Sequence, residues 1–216
     1  MSSHHNISRL QYITQDVEGS SHLLQVEQAC SSGIRWVQLR VKSASLQEAY
    51  QTTSEAKVIC DKHNTKLIIN DHVEIAKSLK AHGVHLGKLD MDPAKARNIL
   101  GPSAIIGGTA NNINDIESLI NKGVNYIGLG PYKNTKTKEN LSPILGISGY
   151  QNIMEKLRKF NNAPPIIAIG GIKLKDIQPL MSTKIHGIAV ASLINLAKEK
   201  KETIKLLLVE KSLQYN

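Results

Sequence analysis

Cysteine is scarce in this chain: Cys30 and Cys60 are the two in 216 residues. Both fall in helix-like stretches without metal-ligand spacing, which excludes a disulfide scaffold and a cysteine-rich zinc site. They read as the reduced thiols of a cytoplasmic protein. Aromatic side chains are also few, seven besides Trp36, so Ile, Leu, Val and Ala must supply the core. No apolar run reaches the length of about 18 residues that a bilayer-spanning helix needs, and no membrane partner is expected. The first twenty residues are polar and lack a central apolar stretch, so no secretory signal is expected either. HExxH and Cys/His sets are missing, which argues against zinc, and no nucleophile elbow supports Ser/His/Asp hydrolysis.

What the chain has is an excess of positive charge, +9 in formal terms. That raises nucleic acid or polyphosphate as partners. Part of the excess sits in Lys198-Glu199-Lys200-Lys201-Glu202, where interleaved acids describe a solvated helix face. No helix-turn-helix, zinc-finger spacing or aromatic RNA-binding motif accompanies the charge, so no nucleic-acid partner is expected. The composition leaves a homo-oligomer open.

Compact β-branched runs alternate with longer amphipathic segments. Strands are expected at 10–14, 35–39, 66–69, 83–85, 104–107, 125–128, 166–169 and 187–190. Helical patterns lie at 21–31, 45–63, 72–80, 92–100, 113–121, 148–159 and 174–181, with a last pair at 193–197 and 202–213. Such alternation argues for βαβ units and a parallel sheet, and eight strands suggest a closed (β/α)₈ TIM barrel. An open doubly wound sheet is the alternative. Glycines recur between a helix end and a strand, at Gly33, Gly83, Gly123 and Gly187. No Pro-, Gly- or Ser-rich linker divides the chain, so residues 1–216 are expected to form one domain. The longest irregular stretch, 131–146, is a candidate functional loop.

In a barrel, chemistry gathers at the C-terminal ends of the strands. Those ends carry Gln38, Arg40 and Lys42 after strand two, and Asn70 and Asp71 after strand three. Asp90 follows strand four and Thr109 strand five. Strand six leads to Thr135, Lys136, Thr137 and Lys138, strand seven to Gly170-Gly171, and strand eight to Ala191-Ser192. Burying such groups is costly unless they are paired or coordinated, so their recurrence points to a polar site. Asp71 and Asp90 lie at the ends of neighbouring strands. Magnesium favours one or two carboxylates together with substrate phosphate oxygens, and Arg40, Lys42 and Lys138 would complete a diphosphate site. The structural alternative is that each aspartate caps the helix after it. Gly170-Gly171 either binds phosphate through backbone N–H groups or permits tight packing. Ser192 either adds a hydroxyl or serves as an N-cap. His82 and His85, three apart across a helix exit and a strand, need not share a face.

Taken in order, several segments resemble the thiamine-phosphate synthase family. They are Gln38-Leu39-Arg40-Val41-Lys42, Ile69-Asn70-Asp71, Gly83-Val84-His85-Leu86-Gly87, Gly128-Leu129-Gly130-Pro131 with Thr135-Lys136-Thr137-Lys138, and Ile169-Gly170-Gly171-Ile172. The resemblance runs from residue 10 to about 196 and implies a barrel enzyme that joins hydroxymethylpyrimidine diphosphate to hydroxyethylthiazole phosphate. It implies substrate contacts from Gln38, Leu39, Arg40, Val41, Lys42, Asn70, Thr109 and Lys138 on the pyrimidine diphosphate side. On the thiazole phosphate side it implies Thr135, Lys136, Thr137, Gly171, Ala191 and Ser192. Arg40, Lys42 and Lys138 would be catalytic, and Asp71 and Asp90 would hold Mg²⁺. Three departures stand out against the family pattern: Thr109 where serine is usual, Lys88 for a frequent glutamine, and Lys133-Asn134 for an aromatic-Pro pair. The competing barrels are a thiazole tautomerase, which lacks the coupling, and a sugar-phosphate epimerase, which needs an acid/base pair about a sugar carbon.

Overall fold

The computed structural model describes residues 7–135 and 142–214. Eight parallel strands close on themselves in sequence order. They are β1 (Leu10–Ile13), β2 (Trp36–Leu39), β3 (Lys66–Asn70), β4 (Gly83–Leu86), β5 (Ile105–Ala110), β6 (Tyr126–Leu129), β7 (Ile166–Ile169) and β8 (Gly187–Val190). Closure is made by β8 against β1, with Leu10, Gln11 and Tyr12 opposite Ile188, Ala189 and Val190. The barrel is therefore the correct reading, and the open sheet is excluded.

The helices are α1 (His22–Ser31), α2 (Leu46–Lys62), α3 (Val73–Ser78), α4 (Pro93–Leu100), α5 (Ile113–Asn121), α6 (Gly146–Leu157), α7 (Ile177–Ser182), α8 (Ser192–Asn195) and α9 (Lys200–Val209). One-turn 3₁₀ helices occupy Leu174–Asp176 and Lys211–Leu213. The starts are written locally. Ser45 and Glu48 form a capping box on α2, and Asn112 and Asp115 form one on α5. Asp92 caps α4 ahead of Pro93, whose missing N–H costs nothing at a first-turn position. Among the described residues no helix is long and apolar enough to cross a membrane.

Side chains alternate along each strand, and that period of two sorts the core into two layers. Val37, Leu39, Leu67, Ile69, Val84, Leu86, Ile127, Leu129 and Ile188 point outward into a large cluster with the helices. Ile13, Trp36, Ile68, Ile105, Tyr126, Ile167 and Ala189 point inward and fill the barrel. Tyr126 is fully buried, and a Cβ on Gly107 would lie 2.2 Å from its ring. A side chain at Gly107 and the Tyr126 ring cannot share that volume. On β2 to β5 the inward positions nearest the C-terminal rim are polar instead: Gln38, Asn70, His85 and Thr109. This change from apolar to polar at one level is what turns the end of a packed barrel into a site.

Candidate active site

A cavity of about 180 Å³ opens at the C-terminal rim. Its lining includes Gln38, Arg40, Lys42, Asn70, Asp71, Asp90, Thr109, Thr135, Gly171, Ala191 and Ser192. The sequence expectations for those residues therefore converge on one place, drawn from seven strand ends. Lys136, Thr137 and Lys138 lie outside the described residues. Leu39 and Val41 do not line the cavity. Leu39 is 2% exposed within the barrel-to-helix core, and Val41 packs against the same core. The alternation that sends Gln38, Arg40 and Lys42 into the site sends the residues between them away from it, so a contact from Leu39 or Val41 is not a side-chain contact.

Neither aspartate is a helix cap. Helix α3 starts behind His72 without a side-chain cap bond, and α4 is capped by Asp92. Asp71 instead has a backbone φ of 65°. For a residue with a Cβ this conformation costs about 1 kcal/mol, less for Asp than for most, and such strain concentrates at functional sites. Its amide extends the β3–β4 ladder by donating to the His85 carbonyl at 3.0 Å. Its carboxylate is ion-paired with the Lys42 ammonium. Asp90 closes its own turn by accepting from the Gly87 amide at 2.7 Å. Partial desolvation, and after it the neighbouring Asp71 carboxyl, push the Asp90 carboxyl above its ordinary range. The Asp71 carboxyl is thus close enough to oppose the ionisation of Asp90. Among the described residues no cluster of three or more His, Cys, Asp or Glu forms a metal cage. A pair of converging carboxylates still fits magnesium, which fills its remaining positions with water and substrate oxygens.

The far wall belongs to β6, β7 and β8. Gly170 and Gly171 have φ of 95° and 67°. A Cβ on Gly170 would meet Pro131 at 2.7 Å, and one on Gly171 would meet the Asn134 carbonyl at 2.7 Å. Both glycines are needed for the backbone turn and for the approach of the loop after β6, and both line the cavity. The loop is laid on the top of β7 by Tyr132 and Lys133, whose amides donate to the Ile169 and Gly170 carbonyls at 2.8 and 3.0 Å. Asn111 clamps both ends of it, donating to the Gly130 and Pro143 carbonyls at 2.9 Å each. Ser192 is the first residue of α8 and not its cap, which is Ala191. Its side chain therefore remains to serve the cavity.

Sequence reasoning gave His85 no role, yet the structure puts it in the cavity lining. Its Nε2 is 3.0 Å from Thr109 Oγ1 and its Nδ1 is 3.0 Å from the Tyr126 hydroxyl. Strand alternation held the signal: Val84 and Leu86 face out, so His85 faces in, level with Asn70. Lys88, by contrast, turns from the site to pair with Asp115 at 2.6 Å.

Fold and rim define a (β/α)₈ barrel whose C-terminal mouth sets two carboxylates and two cations, Arg40 and Lys42 among the described residues, around one anion-sized cavity. Residues 10–194 match the family model of thiamine monophosphate synthase. The chain is 47% identical to the thiamine-phosphate synthase of Flavobacterium johnsoniae, covering 93% of this chain and 94% of that one. It is 42% identical to the thiamine-phosphate synthase of Bacteroides fragilis, covering 92% and 98%. A solved thiamine phosphate pyrophosphorylase from Pyrococcus furiosus superposes with a TM-score of 0.81 at 25% identity, covering 95% of each chain. The chain belongs to the thiamine monophosphate synthase family.

Proposed function

We propose that this chain joins hydroxymethylpyrimidine diphosphate to hydroxyethylthiazole phosphate, giving thiamine monophosphate and pyrophosphate. The observation that carries the reading is the convergence of Asp71, Asp90, Lys42 and Arg40 on one rim, above a polar floor of Gln38, Asn70 and Thr109. In the step, the bond between the pyrimidine methylene and the diphosphate oxygen breaks, and pyrophosphate leaves with the electron pair. The aminopyrimidine ring delocalises the positive charge left on the methylene. The thiazole nitrogen then donates its lone pair to that carbon, so no protein nucleophile is required.

Each part of the cavity has a task in this route. Arg40 and Lys42 offset the charge that builds on the departing diphosphate, with Lys138 assigned to the same work by family resemblance. Gln38, Asn70 and Thr109 orient the pyrimidine, while Ile13, Ile169 and Ala189 keep water from the cation. Thr135, Gly171, Ala191 and Ser192 face the thiazole phosphate, with Lys136 and Thr137 assigned to the same group by family resemblance. When bound, Mg²⁺ on Asp71 and Asp90 neutralises phosphate charge and makes pyrophosphate a better leaving group. Two reduced thiols fit a cytoplasmic location.

Pyrophosphate release, measured with each substrate alone and with both, tests the reading. We expect release only with both substrates and Mg²⁺, and a loss of about 100-fold or more in Asp71→Ala or Asp90→Ala. Near-normal release from either variant would remove the assigned roles, and no release from wild type would remove the activity.

A further inference from the structure

Beneath the cavity runs a chain of hydrogen bonds through the barrel interior. Gln38 Nε2 donates to Gln11 Oε1 at 3.4 Å, and Gln11 Nε2 donates to the Tyr126 hydroxyl at 3.3 Å. The Tyr126 hydroxyl lies 3.0 Å from His85 Nδ1, and His85 Nε2 lies 3.0 Å from Thr109 Oγ1. The five side chains come from β2, β1, β6, β4 and β5. Gln11 and Tyr126 are 1% and 0% exposed and do not line the cavity, whereas Gln38, His85 and Thr109 do.

The amide end gives this chain a direction. Because the Tyr126 oxygen accepts from Gln11, its own proton goes to the other neighbour, His85 Nδ1. Burial pushes the Tyr126 phenol well above its ordinary value, so it keeps that proton. An Nδ1 that accepts leaves the imidazole proton on Nε2, which donates to Thr109 Oγ1. The Thr109 hydroxyl proton then remains to be given to a ligand, and Gln38 Oε1 remains to accept from one. We propose that Gln11 and Tyr126 are positioning residues: they lock His85 in its Nε2–H form and thereby orient Gln38 as an acceptor and Thr109 as a donor toward the substrate. The ligand edge that fits is a flat heterocycle with an N–H on one side and a lone pair on the other, which an aminopyrimidine carries. A partial reversal of this network leaves a donor facing a donor, so the arrangement competes only with its complete reversal, in which both glutamine amides turn over and Gln38 becomes the donor and Thr109 the acceptor. The same reasoning gives the two cavity-remote residues an influence on substrate affinity that their burial in the core would not suggest.

The ligand identity rests on the function proposed above, and the tautomer does not, so the two are read separately. Histidine ¹⁵N–¹H NMR of the ligand-free protein reports the tautomer directly, with His85→Gln to assign the resonance. We expect the Nε2–H form in wild type and a mixture containing Nδ1–H in Tyr126→Phe, which keeps the ring packed edge-on against Trp36. Gln11→Met removes the donor that sets the direction, so it too should admit the Nδ1–H form, and it leaves Gln38 Nε2 without its acceptor. In steady-state kinetics both variants should raise KM for the pyrimidine diphosphate about tenfold, the size of one lost hydrogen bond, with KM for the thiazole phosphate unchanged. An Nδ1–H form in wild type, or an unaltered tautomer in Tyr126→Phe, overturns the proposal. A tautomer shift in a protein that releases no pyrophosphate upholds the relay and rejects the proposed substrate instead.

Discussion

The Leu67 amide, in the lower half of β3, donates to Nδ1 of His82 at 3.1 Å, so an imidazole stands in for a strand carbonyl at that point. Leu67 is fully buried, and its N–H has no water to turn to. Protonation of His82 would place a donor against that donor. Burial, and after it the nearby Lys57 and Lys66 charges, hold the imidazole below its ordinary value, with Asp61 acting in the opposite sense. The sign follows from that direction. A histidine whose folded pKa is depressed contributes stability that is complete above the unfolded value near 6.5 and is lost as pH falls through it toward the folded value. Burial holds His186 down in the same way, so both histidines weaken the barrel in acid. Thermal melts at pH 7.5 and 5.5 should show a lower Tm at the acid end. In His82→Gln, whose amide oxygen can accept from Leu67 without titrating, part of that difference should vanish; an unchanged difference would remove His82 from the account. Single residues of this sort were the least legible part of the sequence. His82 and His85 lie three apart, but one faces a strand edge and the other the barrel interior, and strand register decides which. Arg40, Lys42, Asp71 and Asp90 were legible because all four follow strand ends on one rim, where recurring charges point to a polar site. That the Leu39 and Val41 side chains face the core was not legible, because a contiguous motif hides the alternation within it.

At the scale of elements, starts and stops were written in the chain: Ser45, Asp92 and Asn112 announce α2, α4 and α5 through capping chemistry that is local in sequence. The loop between β6 and α6 was not. Lys133 was visible as a departure from the family pattern, but its partner is 43 residues away. The Lys133 ammonium sits 2.7 Å from Asp176 Oδ1 and over the Tyr132 ring, 4.9 Å from its centroid. The Asp176 side chain is 7% exposed and also accepts from the Lys173 amide at 3.0 Å. A cation on the loop that bears Thr135 is thereby tied to the turn that follows Gly170-Gly171, and the Asp176 bond pushes the Lys133 ammonium pKa up. Lys133→Met leaves a largely buried carboxylate without its cation and should cost about 1–3 kcal/mol. Asp176→Asn in the same background should recover part of that loss, because the charge is removed together with its partner. Urea melts of the two single variants and the double variant measure the coupling. Additive losses would mean that the pair does not join the two loops. The coupled outcome should be accompanied by a several-fold rise in KM for the thiazole phosphate, since Thr135 and Gly171 lie on the two segments joined.

The molecule as a whole depends on closure, which neither composition nor βα alternation could decide. Eight strands with helical crossovers suit an open sheet as well as a barrel. What separates them is whether the last strand meets the first, a contact between residues more than 170 positions apart (Leu10 with Ile188, 188 − 10 = 178). Gly187 shows what that seam requires. A Cβ there would come within 2.2 Å of the Arg9 carbonyl oxygen and 2.6 Å of its carbon, both backbone atoms. No rotamer change relieves a backbone clash, so Gly187→Ala must push β8 away from β1 or leave the seam unpaired. The site draws on both strands through Ile13, Ala189 and Val190, and Gly187 itself is not among the residues that line it. A defect at the lower end of the seam should therefore weaken ligand binding at the upper end, because one closed ring of strands sets every rim distance at once. Gly101→Ala is the contrast: its φ is 85° but a Cβ there meets nothing within 4 Å. With φ 85° and ψ 175° Gly101 sits in a region almost exclusive to glycine, so the substitution should cost about 1–3 kcal/mol of backbone strain and lower Tm by several degrees while leaving the rim intact. Gly187→Ala should lower Tm further and abolish stabilisation by pyrophosphate with Mg²⁺ in the same thermal-shift experiment. A Gly187→Ala protein that melts and binds like Gly101→Ala would mean that the β1–β8 seam tolerates opening and that the site does not rely on the closed ring.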